Sequence, residues 1–291
     1  MPLSGFFLVI SSAAGFGSIA LFAHLAHADG VSTTTLIFLR FALGAAMLGA
    51  WIFINRIPLP RGRALAGYSL IGGGLYAAAA AAYFAALQHA SSGLVSLLLY
   101  TNPICVAVIS AIAGFDRLGR IEIGALLLAA VGLTLTLAGD HSGQPIGIAL
   151  GLLGGVVYAL YIVTGSRLPA QTSPLAGAFV VLASGALVHG SIAAVTGFDW
   201  PDTARGWLAA ICIGIFGSAF AIGAFLAGLR QIGPTRASVL STVEPLVTVT
   251  LGAVFLGERW QAQQLFGGLV ILLAATLIAT ASGRRATQEI A

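Results

Sequence analysis

Apolar positions in this chain gather in long unbroken runs instead of alternating with polar ones. Ten runs can be read, roughly Ser4–Ala23, Thr33–Ile54, Ala64–Leu87, Gly93–Gly114 and Ile121–Gly139, then Pro145–Ser166, Pro174–Thr196, Gly206–Leu229, Thr235–Leu256 and Gln261–Ala281. A helix needs about 20 apolar residues to cross a bilayer, and each run has about that length. Strands of a membrane barrel would alternate lipid-facing with lumen-facing positions, which these runs do not. The pattern predicts ten transmembrane helices, joined mostly by loops short enough to force antiparallel neighbours. The first run follows no positively charged stretch and exceeds a signal-peptide core in length, so it is expected to be a span and not a cleaved leader.

Composition sharpens this into a statement about solvent. The chain of 291 residues is 58% hydrophobic and 8% charged, with a mean hydropathy of +1.01. Soluble domains carry about 25% charged residues, so a water-soluble enzyme, a disordered interactor and a nucleic-acid binder are all excluded. The pI near 9.5 does not restore the last of these, because a net charge of +4 arises here from few charges in total. Cys105 and Cys212 both lie in apolar runs and indicate neither a disulfide framework nor a thiol metal site.

All thirteen basic residues are arginines. With a cytoplasmic N-terminus, the inside loops and tail hold ten of them: Arg56, Arg61, Arg63, Arg117, Arg120, Arg167, Arg230, Arg236, Arg284 and Arg285. The outside loops hold Arg205 and Arg259, and Arg40 sits within a span. This positive-inside bias predicts that both termini are cytoplasmic.

Displacing the sequence by 142 residues aligns its two halves: Pro103 meets Pro245, Asp116 meets Glu258, Arg117 meets Arg259, Ser96 meets Ser238 and Phe16 meets Tyr158. Each half ends with a proline-broken helix, an acidic-Arg pair and a final apolar helix. Because five spans per half is an odd number, the second half enters the membrane in the opposite sense. The predicted fold class is therefore all-α integral membrane, with ten transmembrane helices in two inverted-topology five-helix repeats. The first repeat covers 1–140, the second 141–282, and 283–291 form a cytoplasmic tail. Inverted repeats are a common plan of secondary transporters, whose substrate site lies near the midplane between the halves.

Polar residues inside the runs mark the candidate site. Glu244, in SVLSTVEPLVTV, is a carboxylate about ten residues into the ninth run. Its insertion costs on the order of 2.5–3.5 kcal/mol, so it should face a cavity, a cation or the bundle interior. Pro245 frees the carbonyl of Ser241 and, like Pro103 in the fourth run, is expected to bend its helix. Arg40 can snorkel to the interface, pair with Glu244 or hold a substrate carboxylate through its fork of donors. Asn102 occupies the repeat position of Glu244, and Ser96, Tyr100 and Pro103 share its helix. Tyr76 and Tyr83 in the third run, with Tyr158 and Tyr161 in the sixth, place phenols at membrane depth; Tyr100, Tyr158 and Phe16 read best as cavity lining. Gly147, Gly151 and Gly155 form a small-residue stripe suited to close helix approach. His24, His27 and Asp29 have a ligand-like spacing but no second cluster, so no metal is expected, and His189 reads as a packed polar group. No P-loop, H-E-x-x-H or G-x-S-x-G is present.

The stretch LAGLRQIGPTRASVLSTVEPLVTVTLGAVFLGERW resembles the last segment of the EamA family, within the drug/metabolite transporter superfamily. YALYIVTGSRL and FLRFALGAAML are similar to other segments of that pattern, while the first half reads NPI and FDR where the family usually has a proline element followed by GER. The resemblance implies a multi-pass carrier of the cell inner (cytoplasmic) membrane, commonly an exporter of amino acids, with a subgroup that exports aromatic ones. It implies a central cavity lined by Phe16, Tyr83, Tyr100, Asn102, Tyr158, Ser218 and Glu244. The expected partners are a small-molecule substrate and the lipid bilayer, with no nucleic acid and no cofactor; monomer or homodimer stays open. A carrier of nucleosides or sugars, a membrane-embedded enzyme acting on a lipid-linked substrate and a non-transporting partner subunit are the alternatives.

Overall fold

Helix falls within each of the ten apolar runs. The computed structural model describes residues 3–99, 101–113, 120–139, 143–165, 167–168, 172–232, 237, 240–241, 243–257 and 262–288, and all regular structure among them is helical. Six described segments are long and apolar enough to cross a bilayer: Ser4–His27, Thr33–Ile54, Gly62–Ala86, Pro145–Gly165, Pro174–Thr196 and Ala204–Gln231. Large apolar side chains cover the outside, with Phe53, Ile112 and Val195 each more than four-fifths exposed. Such a surface suits a lipid surrounding.

The second and seventh helices, Thr33–Ile54 and Pro174–Thr196, coincide with the predicted runs because their starts are marked locally. Ser32 accepts a hydrogen bond from the Thr35 N–H, and Pro174 opens the seventh helix in the first turn, where no N–H is needed. The first segment divides at Ser18 into Leu3–Gly17 and Ile19–His27, ending beyond the expected Ala23. The last helix, Ala262–Gln288, likewise continues past Ala281.

Two segments contain a π-helical turn. Ile71–Tyr76 joins Arg63–Leu70 to Ala77–Ala86, and Ile215–Phe220 joins Ala204–Gly214 to Ala221–Ile232. The two turns occupy corresponding places in the two halves to within a couple of residues. A π turn inserts one residue into the helix and disturbs its hydrogen-bond ladder, which is why such turns gather at functional sites.

The fourth segment breaks between Ser92–Leu99 and Asn102–Ile112. Pro103 has no N–H to give the carbonyl four residues back, that of Leu99. Asn102 supplies the missing donor, its Nδ2 lying 2.9 Å from the Leu99 oxygen. In the ninth segment the carbonyl freed by Pro245 accepts instead from the Glu244 N–H at 2.9 Å. The side chains of Pro103 and Pro245, like Tyr100, Thr242, Asp116, Arg117, Glu258 and Arg259, lie outside the described residues.

Packing is matched between the halves. Thr33–Ile54 lies along Pro174–Thr196, and Arg120–Gly139 along Ala262–Gln288. Leu3–Gly17 packs on Ala221–Ile232, as Pro145–Gly165 packs on Ala77–Ala86. The glycine stripe works as its spacing suggests: a Cβ at Gly151 would lie 2.9 Å from Leu98 and one at Gly155 2.8 Å from the Thr101 hydroxyl. Ile19–His27 also packs on Ala204–Gly214, and Ala20, Ala23, Ala26, Ala209 and Ala210 of these two helices are all fully or nearly fully buried. At the equivalent place in the other half, between Arg63–Leu70 and the end of the sixth helix, bulky Tyr68, Tyr161 and Leu168 border a cavity.

Candidate functional site

Arg40 is the organising charge of the interior. It sits in the second helix, is 3% exposed and does not reach an interface. A buried guanidinium needs partners for its donors, and here the two π turns supply three of them. Nε donates to the Ser218 hydroxyl at 2.9 Å and Nη2 to the Gly217 carbonyl at 3.1 Å, both in the second π turn. Nη2 also donates to the Tyr76 hydroxyl at 2.8 Å, at the end of the first. The guanidinium lies 5.3 Å from the Phe41 ring centroid and 5.7 Å from those of Tyr76 and Phe84, within cation–π range.

Beside Arg40 is a small cavity. Phe16 and Ile19 from the first segment, Tyr76 and Tyr83 from the third, Tyr158 from the sixth and Glu244 from the ninth enclose it with Arg40. Apolar and aromatic walls therefore face one fixed cation and one carboxylate. Four of the expected lining residues, Phe16, Tyr83, Tyr158 and Glu244, are brought together here. Ser218 is wholly buried and touches Arg40, so it acts behind the wall. Asn102 is 5% exposed and spends its amide on the Leu99 carbonyl. Tyr76 and Ile19 were absent from the expected lining. The glycines of IGGGLY were the one signal near Tyr76, since they permit the turn that aims it.

A larger cavity lies between Tyr68 and Ile71 of the third segment, Tyr161 of the sixth, and Phe225 and Arg230 of the eighth. A tyrosine cluster stands between the two spaces. Tyr158, on the smaller cavity, stacks on Tyr161, on the larger, with centroids 5.6 Å apart and planes 14° from parallel. Tyr76 lies 5.0 Å from Tyr161 and 6.4 Å from Tyr158.

His189, His27 and Asp29 have local partners. His189 is buried with Nε2 3.2 Å from the Ala77 carbonyl and its ring 5.9 Å from Phe41. His27 places Nδ1 2.8 Å from the Val31 carbonyl. Asp29, at the end of the bundle, accepts the Thr203 N–H at 3.0 Å. That bond, with help from the Thr203 hydroxyl, holds its carboxyl below the ordinary range. Among the described residues no group of three or more His, Cys, Asp or Glu is placed to hold a metal ion.

These features agree with what the chain resembles. A solved structure described as a crystal structure of a protein covers 98% of this chain and 99% of its own with a TM-score of 0.70, at 18% identity, which speaks to the fold alone. A protein of Archaeoglobus fulgidus described as an uncharacterized transporter is 30% identical over 274 residues, 93% of this chain and 94% of that one. The inner membrane transporter YedA of Escherichia coli is 29% identical over 82% of this chain and 79% of its own length. The threonine/homoserine exporter RhtA of Salmonella typhimurium is 28% identical over 71% of this chain and 68% of its own. The model of the EamA-like transporter family matches twice, at residues 3–138 and 145–280. The chain thus belongs to the EamA-like transporter family and is a multi-pass transporter of the inner membrane.

Proposed function

We propose that the chain is a secondary carrier that exports small metabolites, namely amino acids, aromatic or apolar ones included, by alternating access around the cavity beside Arg40. The observation that carries this is that Arg40 and Glu244 both line one otherwise apolar and aromatic cavity. An α-amino acid presents a carboxylate, an ammonium group and a side chain, and this wall offers a complement to each. The exporter RhtA, similar over most of its length, supports the same substrate class.

The carrier works through two inverted five-helix halves with both termini in the cytoplasm, as the arginine distribution favours. In that orientation the alanine-faced contact of Ile19–His27 with Ala204–Gly214 closes the outer end. The larger cavity is then the cytoplasmic mouth, with the Tyr76–Tyr158–Tyr161 cluster between mouth and centre. Rocking one half against the other would exchange these two arrangements. Pro103 and Pro245 would localise bending in the fourth and ninth segments.

Counterflow of labelled phenylalanine, with threonine and uridine as comparisons, in proteoliposomes of the purified chain tests this. Saturable exchange of either amino acid above empty vesicles is the expected result. Exchange of uridine alone would move the assignment to nucleosides. No exchange of any of the three by folded protein would overturn the amino-acid assignment.

A further inference from the structure

We propose that the larger cavity, bordered by Tyr68, Tyr161 and Arg230, is itself a ligand site, distinct from the one beside Arg40, and that it takes an amphipathic organic anion. The argument begins with its lining. Tyr68, Ile71, Tyr161 and Phe225 supply an aromatic and aliphatic chamber, and Arg230 stands on its wall. Among the described residues that line it there is no acidic side chain. Arg230 lies in the last turn of Ala221–Ile232, where the helix end contributes roughly half a negative charge. A full guanidinium charge exceeds that, so the potential at the wall is positive. The phenols of Tyr68 and Tyr161 are donors that a carboxylate or phosphate accepts from. An apolar body fits the chamber, its anionic end lies at Arg230, and a cation of the same shape is repelled there.

The chamber is distinct from the smaller cavity. The Tyr158–Tyr161 stack, with Tyr76 against it, lies between the two spaces, and Arg40 and Glu244 line the smaller one alone. The chamber is the mouth assigned above, and its occupancy can be read apart from exchange through the smaller cavity. The anion has two sources, a small organic carboxylate from solution or an anionic phospholipid whose acyl chain enters the chamber.

The test uses an aryl-diazirine acetic acid as a photoaffinity probe on the full chain in phosphatidylcholine nanodiscs, with labelled positions mapped by peptide mass spectrometry. Label is expected on the peptides holding Tyr68, Ile71 and Phe225. It should fall at least tenfold in Arg230→Gln, stay within about threefold in Arg230→Lys, and fall at least tenfold when the matching aryl-diazirine amine replaces the acid. Label confined to the peptides of Phe16 and Tyr83, label indifferent to Arg230→Gln, or equal label from the amine would each overturn the proposal. Adding phosphatidylglycerol to the discs separates the sources: displacement of the probe makes a lipid the natural anion, and persistence of the label makes it a small carboxylate. Both results keep the anion site. Binding is read without turnover, so a failure here leaves the transport assignment standing, and a failed counterflow leaves this one standing.

Discussion

Arg40 donates to the hydroxyl of Ser218, 178 residues further along the chain, across a distance of 2.9 Å. The bond joins the second helix to the π turn of the eighth segment, so it crosses between the two halves. Hydrogen bonds to charged groups contribute about 1.5–3 kcal/mol. Ser218→Ala should therefore lower stability by about that amount, and less in Arg40→Gln, where the charge is already gone. Thermal unfolding of the two single variants and the double variant in detergent checks it; strictly additive losses would mean that the two side chains do not couple.

Glu244 is the carboxylate of the central cavity. Glu244→Gln preserves its shape and its capacity to accept hydrogen bonds while removing the charge. The expected outcome is loss of amino-acid exchange by at least tenfold, or exchange whose dependence on pH is flattened, with an unchanged melting temperature. Counterflow across a pH series measures both. Normal exchange with a normal pH profile in the folded variant would remove Glu244 from the site.

How far these relationships could be read beforehand follows from periodicity. Long apolar runs announce helices in a bilayer, and Thr33–Ile54 and Pro174–Thr196 carry start signals that place their ends to the residue. The π turns carry no such signal, since an inserted residue leaves an apolar run equally apolar. It does rotate everything beyond it by about 100°, one residue's step in a helix of 3.6 residues per turn. That rotation decides that Tyr76 reaches Arg40 and lines the cavity. Arg40 stood out as a charge in a span, but its partners, the Gly217 carbonyl and Ser218 hydroxyl, depend on the same turn. Asn102 was expected on the cavity wall and instead lies at the break of the fourth segment. Its amide was claimed by a backbone carbonyl that the neighbouring proline had vacated.

Asp29 ties the loop after the first segment to the start of the eighth. Its carboxyl is held below the ordinary range, first by the bond from the Thr203 N–H. A depressed pKa in the folded chain means that this contribution is complete above the unfolded value, near 4, and is lost as pH falls through the folded one. The stability difference between the natural chain and Asp29→Ala should be constant from pH 7 to about 5 and shrink below that. Thermal unfolding of both proteins from pH 7 to 3 measures it; a difference that grows in acid would contradict the assignment.

Gly72 and Gly74 belong to the same π turn and should respond oppositely to alanine. A Cβ on Gly72 would lie 2.5 Å from the Val181 Cα and 2.6 Å from its carbonyl oxygen, backbone atoms of the neighbouring helix that cannot turn aside. A Cβ on Gly74 meets nothing within 4 Å. Overpacking of this kind costs about 1–3 kcal/mol, whereas alanine at an open helical position gains up to about 1 kcal/mol over glycine. Gly72→Ala should lower the melting temperature by several degrees, and Gly74→Ala should leave it unchanged or raise it. The contrast bears on more than stability, because the seventh helix can press on Ile71–Tyr76 only where Gly72 lets it, and that turn carries Tyr76 to Arg40. Exchange activity should accordingly fall in Gly72→Ala and persist in Gly74→Ala. Equal melting temperatures for the two variants would mean that the close approach at Gly72 is not what holds the turn.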